Sequence, residues 1–342
     1  MIDDGRGGFT SVVMRSYGGP DVLEVEQRPA AALRPGEVRV RVLATAVNHS
    51  DLEIRCGNWP VRRADPFPYV PGLEAVGDVL EVAPGGSGLA WNPGDRVWTM
   101  MQGLGGVRAE RAGGYAEQIV VDGDVLARLP AGIDPVDAAA IGLAGITATE
   151  GLRRLLPGAA PGDPGPAPGI RALTGRRIAV TGAAGGVGSL AVSVAAAAGA
   201  EVTAVVSTAE QADYVRQLGA AHVTSGRDAP LALGVLDGAL DMVAGPLFAP
   251  VIGALVPSGR YCLIGAAAGS AVSFDAWVLD AKVLTAWSSE SLTGAGLRET
   301  TAELMAVGLR APARTVLPLH DAAKAHELLE AHAVEGRVVL VP

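Results

Sequence analysis

Hydrophobic and polar positions fall into two textures along the chain. In the first third, short valine-rich runs at 23–25, 38–42, 75–82, 95–98 and 115–120 are separated by glycine, proline and other turn formers. Short runs of that kind with that punctuation predict antiparallel strands gathered into a small, barrel-like β domain. From about Pro135 the texture changes to helix-compatible stretches alternating with single apolar runs at 178–180, 202–206, 240–243, 261–264 and 283–287. Parallel strands joined by crossover helices produce such an alternation, so a doubly wound α/β sheet is expected there. Near the C-terminus, residues 322–329 predict a helix and 337–341 a last strand returning to the first domain. Residues 156–169 carry Pro157, Pro161, Pro164, Pro166 and Pro168, whose missing N–H groups break any regular ladder, and are expected to form a surface loop. The resulting boundaries are 1–128 with 290–342 for the β domain and 129–289 for the doubly wound domain.

The run Ile178-Ala179-Val180-Thr181-Gly182-Ala183-Ala184-Gly185-Gly186-Val187-Gly188, followed by Ser189-Leu190-Ala191-Val192, reads as a strand, a glycine turn and a helix N-terminus. Unpaired N–H groups and the dipole at such a helix start favour a pyrophosphate, and the glycines let the backbone approach it closely. A dinucleotide site follows, with Gly182, Ala183, Gly185, Gly186, Val187 and Gly188 as its candidate contacts. Against G-x-G-x-x-G the match starts at Ala183, so the first glycine is replaced; the apolar run at 202–206 supplies the βαβ context. Where that second strand ends, a carboxylate would select an unphosphorylated ribose, but Ser207 and Thr208 stand there, with no acid before Glu210. Two hydroxyls can donate to a 2′-phosphate, so NADPH is expected over NADH; alternatively these residues cap the next helix. Arg216 and Arg227 are the nearest cations in sequence.

Composition narrows the classes. A length of 342 residues at 49% hydrophobic content can fill two cores. The formal net charge of -9 argues against a basic face for nucleic acid or anionic membrane and leaves Arg62-Arg63 as a local cluster. The start of the chain has no signal-type apolar segment and no stretch reads as a membrane helix, so a cytoplasmic protein is expected. Cys56 and Cys262 allow one disulfide at most and no four-thiolate zinc site.

Several pieces, in order and spacing, resemble the medium-chain dehydrogenase/reductase superfamily in its zinc-independent quinone oxidoreductase-like branch. They are Ala46-Val47-Asn48-His49-Ser50-Asp51, Val70-Pro71-Gly72-Leu73-Glu74-Ala75-Val76-Gly77, Pro93-Gly94-Asp95-Arg96-Val97, Gly113-Gly114-Tyr115-Ala116-Glu117, the glycine turn, and Gly336-Arg337-Val338-Val339-Leu340. The resemblance spans nearly the whole chain and implies a GroES-like barrel domain beside a Rossmann domain. It also implies that Asn48 lies near the nicotinamide ribose, that Thr147 contacts the nicotinamide side, that His49 meets cofactor phosphate, and that Gly265 and Arg337 contribute to cofactor binding. Zinc-using members of the superfamily place ligands at positions aligning with Asn48, Leu73 and Leu143. An amide and two alkyl chains do not replace thiolate and imidazole, so no metal is expected, and Glu74 and Asp51 are expected to brace the fold.

Without a Lewis acid, the chemistry left to a bound NADPH is hydride delivery to an acceptor that is already electrophilic, a quinone or an α,β-unsaturated carbonyl. Trp59 lies in the loop Cys56-Gly57-Asn58-Trp59-Pro60, where enoyl reductases of the superfamily often carry tyrosine. It is a candidate wall for a planar acceptor, or plain packing. Tyr69, Tyr115 and solvent are the candidate proton sources, and Trp59, Tyr69, Leu143 and Thr147 the candidate acceptor slot. Asn48, Tyr69 and Trp59 are thus the candidate catalytic residues. A zinc-free carbonyl or alcohol dehydrogenase and a non-catalytic NADPH-binding protein compete with this reading. The resemblance also implies a homodimer joined through Lys282-Val283-Leu284-Thr285-Ala286-Trp287.

Overall fold

Valine-rich runs draw the N-terminal third into extended chain, where β-branched side chains pack well on a pleated surface. The computed structural model describes residues 8–59, 61–62, 66–86, 88–101, 103–104, 108, 110–159, 168–225, 232–309 and 311–342. Pro60, Arg63, Pro161, Pro164, Pro166 and Arg227, named above, lie outside them. Two units result: Met1–Leu143 with Leu292–Thr301 and Arg310–Pro342, and Ala144–Ser291 with Ala302–Leu309.

In the first unit β1 (Gly8–Val13) pairs antiparallel with β2 (Glu24–Pro29). β3 (Glu37–Val47) is followed by helix α1 (His49–Cys56), β4 (Glu74–Val82), β5 (Arg96–Met100), β6 (Gln118–Asp122) and the short β7 (Ala127–Arg128). β3 is long enough to serve several neighbours. It pairs antiparallel with β4, while its N-terminal half pairs with β6 through Val38↔Val121 and Val40↔Ile119. Val38, Val40, Val42, Val79, Val97 and Ile119 form one apolar cluster of this sheet. The run at 115–120 was expected to be strand throughout, but the ladder starts only at Gln118. Tyr115 instead offers its carbonyl to the N–H of Val12, and Ala116 makes an isolated bridge to Ser11.

Helix α2 (Pro135–Arg153) is broken at Gly142, whose φ of 17° and ψ of −130° are not helical. The second unit then runs β8 (Arg177–Thr181), α3 (Gly186–Ala197), β9 (Glu201–Val206), α4 (Ala212–Gln217), β10 (His222–Ser225), β11 (Leu236–Asp241), α5 (Phe248–Gly253), β12 (Leu255–Leu263) and β13 (Val283–Ala286). These strands form one parallel sheet in the order β10-β9-β8-β11-β12-β13. The order reverses between β8 and β11, which defines the topological switch point of a doubly wound sheet. β11 begins earlier than its apolar run at 240–243 suggested, because Asp237 and Gly238 are part of the strand.

The chain closes with α6 (Gly294–Ala306), β14 (Arg314–Pro318), α7 (Ala322–Glu330) and β15 (Arg337–Val341). β15 returns to the first unit's sheet, antiparallel to β3 through Val338↔Val47 and Leu340↔Thr45. β14, which the sequence did not announce, joins β15 in parallel register. Cys56 is exposed and Cys262, in β12, is buried; both are free thiols, and burial pushes that of Cys262 up to about 11. Among the described residues no helix is long and apolar enough to cross a membrane.

Candidate functional site

In the second unit the glycine turn follows β8 at the switch point, where doubly wound sheets open a crevice for a ligand. Gly182, at φ +58°, takes the left-handed conformation that the tight turn needs, so the turn is made one residue ahead of the motif alignment and Ala183 is accommodated as a buried residue. A Cβ on Gly188 would lie 2.1 Å from the carbonyl oxygen of Gly182, so this position admits only glycine without moving backbone. Helix α3 starts immediately after, at Gly186, with Gly185 at its N-cap and no side chain capping it. Its first-turn amides and dipole suit a pyrophosphate. Gly185, Gly186 and Val187 are partly or fully exposed, so the turn fits a dinucleotide.

At the tip of β9, Ser207 is exposed, and both its N–H and its hydroxyl donate to Gln211 Oε1, at 3.1 and 3.0 Å. The hydroxyl of Thr208 donates to the exposed carboxylate of Glu210 and holds that carboxyl below its ordinary range. A phosphorylated ribose would compete for both hydroxyls. Arg216, a nearby cation in sequence, is paired with Asp213 at 2.9 Å.

In the first unit the sequence-predicted residues Asn48 and Arg337 meet around a carboxylate. Asn48 Nδ2 donates to Glu74 Oε1 at 2.8 Å, and Asn48 Oδ1 accepts from Arg337 Nη2 at 2.8 Å. Arg337 Nη2 also reaches Glu74 Oε1 at 3.3 Å. The second oxygen of Glu74 accepts the N–H of Leu143 at 2.8 Å, a donor placed there by the break at Gly142. Glu74 is wholly buried; burial pushes its carboxyl up while Arg337, Asn48 and the Leu143 N–H pull it down. Leu73 is buried beside it and offers no ligand atom. Among the described residues no three His, Cys, Asp or Glu side chains are grouped so as to hold a metal.

Asp51 lies in the first turn of α1 and takes the N–H of Asn48 on Oδ2 at 2.9 Å, while its Oδ1 is buried without a hydrogen-bond partner. Burial, with the nearby charge of Glu74, pushes its carboxyl from 3.8 up to about 7, against the pull of the Asn48 N–H and Arg337. The folded chain therefore keeps a proton that the unfolded chain releases near pH 4, and stability falls as pH rises from about 4 toward 7. Asp51→Asn preserves an acceptor for Asn48 and removes this dependence. Melting curves from pH 5 to 8 are expected to show the parent losing Tm relative to the variant; parallel curves would refute the assignment.

The other candidates are placed as follows. Tyr69 is buried, and burial with the charge of Asp51 raises its hydroxyl well above the phenol range, so it is a weaker acid than an ordinary tyrosine. Tyr115 is fully buried with its hydroxyl 3.0 Å from His326 Nε2; burial and the charge of Arg55 lower that imidazole to about 3, so it is neutral. Trp59 is half-buried in the loop after α1 and donates its backbone N–H to Glu53. His49 opens α1 with its side chain 74% exposed, 3.4 Å from Glu53. Thr147 is buried in the second half of α2, in the other unit. Gly265 follows β12 with its N–H directed to the carbonyl of Asp241.

Reading the sequence missed Asp241 and Tyr261. Asp241, wholly buried at the end of β11, accepts from Thr181 and from the N–H groups of Val243 and Ala244, and its other oxygen accepts from Tyr261 at 2.6 Å. An acid inside the apolar run at 240–243 was the only signal available.

The alcohol dehydrogenase GroES-like domain family matches residues 34–131, and the zinc-binding dehydrogenase family matches residues 218–340. The acrylyl-CoA reductase AcuI of Ruegeria pomeroyi is 36% identical over 256 residues, covering 72% of this chain and 70% of that protein. A quinone oxidoreductase of Pseudomonas aeruginosa is 30% identical over 351 residues, covering 96% and 98%. The crystal structure of an Escherichia coli quinone oxidoreductase complexed with NADPH superposes with a TM-score of 0.80 at 26% identity, over 97% of this chain and all of that one. With a parallel sheet reversing at a glycine turn, a separate sheet that takes in the C-terminal strand, and these relatives, the chain belongs to the medium-chain dehydrogenase/reductase superfamily, in its quinone oxidoreductase-like branch.

Proposed function

We propose that this chain is an NADPH-dependent reductase that delivers hydride, without zinc, to a quinone or an α,β-unsaturated carbonyl. The observation that carries this reading is the state of Asn48. Its amide is committed on both sides, to Glu74 and to Arg337, and Leu73, next to Glu74 in the chain, and Leu143, whose N–H donates to Glu74, carry only alkyl side chains. A donor set of one amide and two alkyl chains cannot hold the Lewis acid by which zinc enzymes polarise an alcohol or carbonyl, so an acceptor activated by its own conjugation is the better match. Gly182, Gly185, Gly186 and Gly188 with the start of α3 would hold the pyrophosphate, and a bound nicotinamide would supply the hydride.

The remaining residues orient and exclude. Asn48 Oδ1 retains a second lone pair beyond the one used by Arg337, so it would act toward the cofactor as an acceptor, of a ribose hydroxyl for example. Thr147, His49, Gly265 and Arg337 are assigned to the cofactor with it, and Trp59 to the acceptor. Solvent is the simpler proton source, since burial weakens Tyr69 as an acid. Ser207 and Thr208 support NADPH, as does the NADPH complex of the Escherichia coli relative. β13 at the sheet edge, with Trp277 84% exposed on the segment before it, supports a homodimer.

The deciding experiment follows oxidation of NADPH and NADH with menadione, crotonyl-CoA and a simple enone, and reduction of NADP with simple alcohols. Turnover of a conjugated acceptor with NADPH is expected, and Ser207→Asp should weaken NADPH by about tenfold while moving NADH less. Ready alcohol oxidation without turnover of any conjugated acceptor would replace this reading with a dehydrogenase.

A further inference from the structure

Asp241 is surrounded by donors from the two parallel strands that flank its own and from its own following loop. Thr181, the last residue of β8, donates its hydroxyl to Asp241 Oδ1 and accepts the N–H of Met242 at 3.0 Å. Oδ1 also takes the N–H groups of Val243 and Ala244 at 2.8 and 3.0 Å. Oδ2 takes the hydroxyl of Tyr261 from β12, and the backbone carbonyl of Asp241 accepts from Ile264 and Gly265. β8 and β11 are the pair across which the strand order reverses, so the bond from Thr181 to Asp241 spans the floor of the crevice that a switch point opens.

The loop held this way is strained. Ala244, which is not glycine, sits at φ +53° and ψ −137°, and is followed by Gly245 at φ +50°. Strain of that kind persists where surrounding bonds over-determine the backbone, and it concentrates at ligand sites. The loop also touches the glycine turn: a Cβ on Gly182 would come within 3.1 Å of Val243 Cγ2. The loop after β12 leans on it in turn, with Ala267 and Ala268 donating to the carbonyls of Met242 and Val243. At the opposite end of the same strand pair, Asp237 takes the N–H and guanidinium of Arg177, so β8 and β11 are pinned at both ends by an aspartate four residues apart on one face.

We propose that Asp241 is a positioning residue for the dinucleotide: by tying Thr181, the loop at 242–245 and Tyr261 to one carboxylate, it sets the width and backbone shape of the crevice against which the cofactor lies. This rests on reading the crevice as a dinucleotide site. The residue does not reach the cofactor itself; it acts through the backbone of the two loops.

The test compares Asp241→Ala, Asp241→Asn and Tyr261→Phe with the parent chain by NADPH and NADH fluorescence titration, thermal melting, and steady-state kinetics on menadione. Asp241→Ala is expected to raise the dinucleotide Kd by about tenfold or more, and Tyr261→Phe by about threefold. Asp241→Asn, which keeps an oxygen for the two loop N–H groups, falls between them. The menadione KM at saturating cofactor moves less than the dinucleotide Kd, because the tied loops border the dinucleotide crevice. A merely structural tie would lower Tm and leave the Kd of the folded protein where it was. Unchanged Kd in both Asp241→Asn and Tyr261→Phe therefore overturns the proposal, and these two variants decide it if Asp241→Ala does not fold. A parent chain that binds neither dinucleotide overturns the underlying reading and this proposal together; a parent that binds, with variants that do not differ from it, overturns the proposal alone.

Discussion

Gly188→Ala is expected to abolish measurable dinucleotide binding, raising Kd by about a hundredfold or more, and to lower stability by about 1–3 kcal/mol. The added Cβ would stand 2.1 Å from the carbonyl oxygen of Gly182, 2.8 Å from its carbonyl carbon and 2.9 Å from the Cα of Ala183. All three are main-chain atoms of the turn, so no side chain can step aside and the turn itself must move away from the start of α3. Gly185→Ala is the control. Its Cβ would meet only the oxygen of Gly182, at 3.2 Å, and its φ of −77° suits any residue, so it should lose far less Tm than Gly188→Ala. Fluorescence titration of NADPH beside melting curves separates the two effects. Parental binding by Gly188→Ala would mean that the turn does not hold the cofactor.

The second large effect is expected at Glu74. Removing the carboxylate by Glu74→Ala leaves the buried Arg337 guanidinium without its counter-charge, and strips the N–H of Leu143 and the amide of Asn48 of their acceptor. Breaking one side of a buried pair costs about 3–5 kcal/mol, far more than the pair contributes against an apolar replacement. Glu74→Gln keeps an oxygen for one donor and should cost about 1–3 kcal/mol. Gly142→Ala attacks the same contact from the other side, since its Cβ would fall 1.7 Å from Glu74 Oε2. Urea denaturation of the three variants checks the order, with Glu74→Gln the mildest. Parental stability in Glu74→Ala would show that the carboxylate is not what holds Arg337.

These two sites also show what a reader of the sequence can see. The glycine turn was legible because strand, turn and helix are contiguous and each carries its own period, so Ile178 to Leu190 suffices to place it. The replaced first glycine was legible as a departure but not its remedy, because the positive φ of Gly182 is a property of the folded turn. Glu74 was read as bracing the fold, and the structure agrees. Its partners stayed hidden: Leu143 is 69 residues away and its N–H is available only because α2 breaks at Gly142 inside an unremarkable apolar stretch. Asp241 was invisible for a related reason. Thr181 lies 60 residues before it, and only the parallel register of β8 on β11 brings the hydroxyl to the carboxylate. Local periodicity gives elements; long-range register gives the polar contacts that finish a site.

The two free thiols make the molecule its own reporter of local opening. Cys56 is exposed and available to an alkylating reagent in the native state, whereas Cys262 is sealed inside the parallel sheet with a thiol raised to about 11. Thiolate is the reacting form, so burial and the raised value protect Cys262 twice over. In a chain carrying Cys56→Ser, the slow modification of Cys262 would count openings of β12, the strand that contributes Tyr261 to the switch-point tie, without any label being introduced.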